Sequence, residues 1–256
     1  MNNESTWAIA HRGASADCPE NTLAAFDEAL LQGCDGIELD LQLSRDGVPV
    51  VFHDKTLALA GRRQLRVAQA DYAELSRLDV GSHRDKRFRD ERIPLLEDVL
   101  DRYGKRTRLL LEIKTREGAA GRQRHLELAR AAARSVRRRG LEENAYFLCF
   151  DTGVLDACAG EAPQVGRVLN LKPPPLFGGT LRDCTASLWA LSVDVRTLTP
   201  KFGAGADRAG VRLLVFTCNT ARRVKRALAV GARGIMSDHP GWLSEQLRSG
   251  PGADGT

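Results

Sequence analysis

The chain has 256 residues, 43% hydrophobic and 28% charged, which allows one large α/β domain or two small ones with a sizeable core. Its formal charge of +5 is modest, its basic residues are scattered and aromatics stand at 5%, so it lacks the clustered, aromatic-interleaved charge of a nucleic-acid-binding surface. No apolar run approaches membrane-spanning length, and the opening M-N-N-E-S-T has neither a basic region nor an apolar core, which argues against stable membrane insertion and a secretory signal.

In chain order, W-A-I-A-H-R is a strand, and T-L-A-A-F-D-E-A-L-L-Q-G is a helix ended by Gly33. G-I-E-L-D-L-Q-L and P-V-V-F-H are strands joined by the turn signal S-R-D-G. A tight turn there would make an antiparallel hairpin with Glu38 opposite His53, whereas a regular barrel needs the two strands parallel. Both arrangements bring carboxylates near His53. The segment from Lys55 to about Pro94 has no strand-like run, is polar and Arg-rich, and is partly helical around Ala70–Leu78. It reads as a small insertion on the face that carries loops.

Further strands are R-L-L-L-E-I-K, A-Y-F-L-C-F, Q-V-G-R-V-L-N, L-W-A-L-S-V-D, V-R-L-L-V-F-T-C-N and G-I-M-S-D. Helices over Leu95–Tyr103, Arg122–Arg139 and Ala221–Val230 lie between them. The run Arg137-Arg138-Arg139 suits a solvated helix C-terminus. Strand–helix alternation argues a parallel sheet, and no Gly-rich dinucleotide or phosphate-loop fingerprint follows the first strand. A (β/α)8 barrel (TIM barrel), distorted and with a small, mostly helical insertion after the third strand, fits the length. Nine strand candidates for eight positions leave one outside the barrel. The expected layout is one domain over 7–248, the insertion at 55–94 and a flexible tail at 249–256. The cysteines Cys18, Cys34, Cys149, Cys158, Cys184 and Cys218 form no C-x-x-C pair, and several lie in apolar runs, which points to free thiols and a cytoplasmic protein.

Glu38 and Asp40 are spaced i, i+2 on a strand and share one face, opposite Leu39 and Leu41. Turned into a barrel they would repel each other unless neutralised, and a divalent cation is the natural partner; turned outward they are an ordinary polar face. Glu112, with Lys114 at i+2, is either half of a buried ion pair or a third ligand beside a phosphate-binding lysine. Three carboxylates without cysteine or paired histidine favour Mg²⁺ or Ca²⁺. His11 and His53 each end an apolar strand beside charged residues. Two such histidines could supply the acid and the base of phosphodiester cleavage, with Arg12 and Lys114 on the non-bridging oxygens. Glu20 and Asn21 stand where a helix begins, so they cap it or support the metal site. His83 and His125 read as solvated, and His239 as a loop residue.

These pieces resemble bacterial glycerophosphodiester phosphodiesterases. H-R-G, P-E-N-T, E-L-D, S-R-D-G-V-P-V-V-F-H-D, A-E-L-S-R-L-D-V-G, I-P-L-L-E-D-V-L, L-E-I-K, F-T-C-N and G-I-M-S-D-H-P occur in the family's order from about residue 8 to 240. The resemblance implies cleavage of small-molecule glycerophosphodiesters to sn-glycerol 3-phosphate and an alcohol. It implies a divalent cation on Glu38, Asp40 and Glu112, the acid/base pair His11 and His53 with His11 as base, and Arg12 and Lys114 on the phosphate. Asp54, with Glu20 and Asn21, would stand behind them. Where the family often has W-T-V-N this chain has F-T-C-N, which makes Phe216 the aromatic bordering the substrate; the run after His53-Asp54 is also poor in Thr. Two other readings are weaker. A phospholipase-like enzyme acting on inositol or sphingolipid head groups would want exposed apolar loops, and the insertion is polar. A non-enzymatic phosphate-ester-binding barrel would be suggested by loss of a catalytic residue, and all are present.

Overall fold

All nine apolar runs form strands in the computed structural model, which describes residues 5–115, 121–171 and 187–249. They are β1 (Trp7–His11), β2 (Gly36–Leu43), β3 (Pro49–Val51), β4 (Arg108–Ile113), β5 (Ala145–Cys149), β6 (Gly166–Leu171), β7 (Ala190–Asp194), β8 (Arg212–Phe216) and β9 (Gly234–Ser237). The helices are α1 (Leu23–Leu31), α2 (Tyr72–Leu75), α3 (Leu96–Tyr103), α4 (Arg122–Arg138), α5 (Thr152–Glu161), α6 (Pro200–Arg208), α7 (Ala221–Leu228) and α8 (Pro240–Ser249). Pairing runs β1-β2-β4-β5-β6-β7-β8-β9 and back to β1, every neighbour parallel, which closes an eight-stranded barrel. Parallel strands need crossovers, and the helices supply them on the outside.

The strand outside the barrel is β3, antiparallel to β2. Its turn is closed by Ser44 N–H donating to the Val48 carbonyl at 3.0 Å, with Gly47 at φ +81°. That turn sets the register Leu41↔Val51, and Phe52 N–H donates to the Asp40 carbonyl at 2.9 Å. Of the two arrangements left open the antiparallel hairpin is the one formed, but Glu38 does not pair with His53; the strand ends at Val51 and His53 lies beyond it.

Alternation on β2 decides the rest. Ile37, Leu39 and Leu41 pack outward into the core shared with α1, α3 and α4. Glu38 and Asp40 therefore turn to the barrel interior, where a separate apolar layer of Ile9, Leu110, Leu148, Val168, Leu214 and Met236 fills the barrel. The insertion is built of short helical turns around its own small core of Val50, Phe52, Leu57, Val67, Leu75, Val80 and Ile93. Its expected helix narrows to α2.

His125 corrects an expectation. It is buried, 5% exposed, because α4 places it on the same stripe as Leu128, Ala129 and Ala132. His83 and His239 are exposed as expected. Arg139 at the end of α4 pairs with Asp101 at 2.7 Å, in keeping with a solvated helix end. The five cysteines among the described residues are free; Cys184 and residues 250–256 of the expected tail lie outside the described residues. No helix among the described residues is long and apolar enough to cross a membrane.

Candidate active site

The C-terminal ends of the barrel strands gather the residues singled out by sequence around a cavity of about 230 Å³. Register brings them together directly: His11 of β1 stands beside Glu38 of β2, and Asp40 of β2 beside Glu112 of β4. His11, Arg12, Glu38, His53, Glu112, Lys114 and Phe216 line the cavity. Asp40 stands behind this wall, 1% exposed, and Glu20, Asn21 and Asp54 support it from outside.

After His11 the chain turns through two left-handed residues, Arg12 at φ +58° and Gly13 at φ +81°. A Cβ on Gly13 would lie 2.7 Å from the Ala25 backbone, so glycine is required there. The turn aims the Arg12 N–H at Glu38 Oε2, 3.1 Å away. The Arg12 guanidinium donates to both oxygens of Glu20, at 3.1 and 2.9 Å, and its Nε lies 3.2 Å from Asp40 Oδ2. Thr22, not Glu20 or Asn21, caps α1, accepting from Ala25 N–H. Asn21 instead clamps Asp40: its Nδ2 donates to Asp40 Oδ2 at 2.8 Å and its Oδ1 accepts the Asp40 N–H at 3.2 Å.

The carboxylates Glu38, Asp40 and Glu112 present oxygens within 4.8 Å of one another. Lys114 Nζ lies 2.6 Å from both Asp40 Oδ1 and Glu112 Oε1, joining the ion-pair and ligand readings of Glu112 in one cluster. The Lys114 ammonium is thus the close partner of Asp40 Oδ1. An all-oxygen set of three clustered carboxylates fits a hard divalent cation.

Burial and mutual repulsion split the two β2 carboxylates. Glu38, desolvated and facing Asp40, is pushed up to about 8, so it holds a proton at neutral pH. For Asp40 burial acts the same way, but Lys114 and Arg12 outweigh it and hold it far below the usual carboxylate range. Lys114 is desolvated too, yet Asp40 and Glu112 raise its pKa.

The histidines are likewise split. His53 Nδ1 lies 2.9 Å from Asp54 Oδ1 and 3.8 Å from Glu20 Oε1. Burial lowers its pKa, Asp40 opposes this, and the Arg12 and Lys114 charges help bring it down to about 4. His11 is also desolvated, but its hydrogen bond to Asp238 raises it above its ordinary value. His11 is thus shifted toward its protonated form and His53 toward its neutral form.

The partner of His11 was missed by sequence reasoning. Asp238, just after β9, places Oδ1 2.6 Å from His11 Nδ1. Asn219 Nδ2 donates to its other oxygen at 2.5 Å, and the Ser15 hydroxyl lies 3.2 Å from Oδ1. Burial opposes ionisation of Asp238, yet these bonds bring its pKa down to about 2. The motif G-I-M-S-D holds Asp238, but only barrel closure brings β9 to β1. The far wall, also missed, carries Phe150, Asn170, Ser192, Asp194, Arg196 and Arg223.

A family model described as the glycerophosphoryl diester phosphodiesterase family matches residues 11–242. A glycerophosphodiester phosphodiesterase of Caldanaerobacter subterraneus is 30% identical over 247 residues, spanning 96% of this chain and 99% of the relative. One from Bacillus subtilis is 33% identical over 243 residues, spanning 91% of this chain and 83% of the relative. The solved structure of an Oleispira antarctica phosphodiesterase, in complex with the product sn-glycerol-3-phosphate, matches with a TM-score of 0.83 at 28% identity, covering 94% of this chain and 96% of that one.

Proposed function

The chain belongs to the glycerophosphoryl diester phosphodiesterase family, and we propose that it hydrolyses glycerophosphodiesters to sn-glycerol 3-phosphate and an alcohol with a divalent cation and two histidines. The observation that carries this reading is a single cavity walled by His11, His53, Glu38, Glu112, Lys114 and Arg12. Glu38, Asp40 and Glu112 would hold the ion, Mg²⁺ or Ca²⁺, which when bound offsets charge developing on the phosphate oxygens.

The chain's own groups divide the remaining work. Lys114 and Arg12 are cations beside the cluster, placed to attract the non-bridging oxygens. One histidine takes the proton of the attacking oxygen and the other returns a proton to the leaving oxygen. Asp238 and Asp54 each engage an Nδ1, so the exchange would run through the Nε2 side of each ring. Phe216, on the cavity wall, would border the substrate. The substrate is a small molecule, and the free cysteines suit a cytoplasmic setting.

The test is release of sn-glycerol 3-phosphate by the purified protein with Mg²⁺ or Ca²⁺. Product from at least one of several glycerophosphodiesters, abolished by a chelator and restored by the ion, is expected. No product from any of them would overturn the reading.

A further inference from the structure

The surface beyond β7 and β8 carries a positive charge that neither the carboxylate cluster nor the histidines use. Seven basic residues and no acidic one lie between Asp207 and Asp238, against a net charge of +5 for the whole chain. Three of them, Arg222, Arg223 and Arg226, meet Arg196 from the end of β7 around a groove of about 480 Å³, which Val195 and Thr220 complete. Arg196 and Arg223 also line the catalytic cavity, so the groove adjoins it.

These cations are held in place but not all neutralised. Among the described residues Asp194 pairs with one of them, Arg196, whose Nε lies 3.0 Å from both of its oxygens. Arg223 Nη1 donates to the Thr217 carbonyl at 3.3 Å and Arg226 Nη2 to the Leu198 carbonyl, bonds that position the guanidiniums and leave their charge. Arg222 and Arg223 stand in the first turn of α7, which has no acidic residue and where the helix dipole repels a cation. Arg222 and Arg226 are one turn apart, and like charges at that spacing destabilise a helix. The fold gains nothing from this arrangement. A multivalent anion in the groove relieves both repulsions, and the planar guanidinium fork suits phosphate.

The adjoining cavity says what that anion belongs to. The reacting phosphate belongs with Arg12 and Lys114, which follow β1 and β4, whereas β8 and β7 lie two and three strands from β1 on the other side of the barrel. The alcohol that departs from the phosphate must leave the cavity, and along Arg196 and Arg223 its path leads into the groove. We propose that the groove binds a second phosphate group carried on the departing alcohol, so that diesters with a phosphorylated alcohol arm are preferred to those with a neutral one. This rests on the phosphodiesterase reading of the adjoining cavity.

The test is calorimetric binding of two phosphonate analogues of glycerophosphoglycerol to the Mg²⁺-loaded protein. In both a methylene replaces the oxygen that bridges to the departing glycerol, so neither can be cleaved there; one carries a further phosphate on that glycerol. Wild type is expected to prefer the phosphorylated analogue by about tenfold at low ionic strength, and the preference should shrink in high salt. Arg222→Gln should cut it about threefold and Arg222→Glu should remove it, the affinity for the neutral-arm analogue staying as it is. Both substitutions take a cation off a helix N-terminus, so the melting temperature should hold or rise, whereas a structural role for Arg222 would lower it. Equal binding of the two analogues to wild type would overturn the proposal, as would a preference that survives Arg222→Glu or a variant that weakens both alike. Sedimentation with phosphatidylglycerol vesicles that Arg222→Glu abolishes, without any preference between the analogues, would assign the groove to a membrane surface and also overturn it. If the preference is found but no diester is cleaved, the groove's role in binding stands and the hydrolytic reading falls; cleavage without the preference gives the opposite result.

Discussion

His11 and Asp238 lie 227 residues apart in the chain, and their side chains meet at 2.6 Å. β9 returns to β1 as the last closure of the barrel, and the carboxylate that follows it fixes the first of the two cavity histidines. Asp238→Asn removes the anion that raises the His11 pKa while leaving a hydrogen-bonding side chain of the same size. The turnover number is expected to fall about 10–100-fold, the range for losing a partner that orients a functional histidine. The pH–rate limb belonging to His11 should move to lower pH, because its protonated form loses its partner. Steady-state rates across pH check this; an unmoved profile would separate Asp238 from His11 function.

Glu38 carries a second pH effect. Without an ion it keeps its proton up to about 8. A cation takes the carboxylate, so loading should release about one proton at neutral pH. Below 8 the affinity should then tighten about tenfold per pH unit, and flatten above it. Titration of Mg²⁺ in buffers of different ionisation heat measures the proton directly. A pH-independent affinity between 6 and 7 would show Glu38 already ionised or not a ligand.

Gly13→Ala tests the turn that aims Arg12. The substitution puts a side chain at φ +81° and a Cβ 2.7 Å from the Ala25 backbone. It should cost at least about 1–3 kcal/mol, the scale for a strained non-glycine residue. At roughly 2–4 °C per kcal/mol for a chain of this size, the melt should drop by several degrees, with activity falling as well. An unchanged melt would mean that the turn tolerates a Cβ.

Much of this site was legible because its parts are local. Period-2 alternation put Glu38 and Asp40 on one face, and the same alternation paired Glu112 with Lys114; parallel register did the rest. What was hidden depends on distant closure or on one-residue detail. Asp238, just after β9, and Asn170 and Ser192 on β6 and β7 reach the cavity only when the barrel closes. The hairpin register turned on the bonds inside S-R-D-G, which shifted His53 past the end of β3. His125 looked solvated in an Arg-rich stretch, yet helical phase set it among Leu128 and Ala132. Thr22 took the capping role, because Asn21 was engaged by Asp40.

The most direct measurement compares His11→Ala and His53→Ala with wild type, reading turnover of a glycerophosphodiester with Mg²⁺ and the thermal melt on the same samples. Both variants should lose about 10²–10⁴ in the turnover number, the scale of general acid–base catalysis, with melts close to wild type. Near-wild-type turnover in either variant, or a loss that comes only with collapse of the melt, would contradict the two-histidine account.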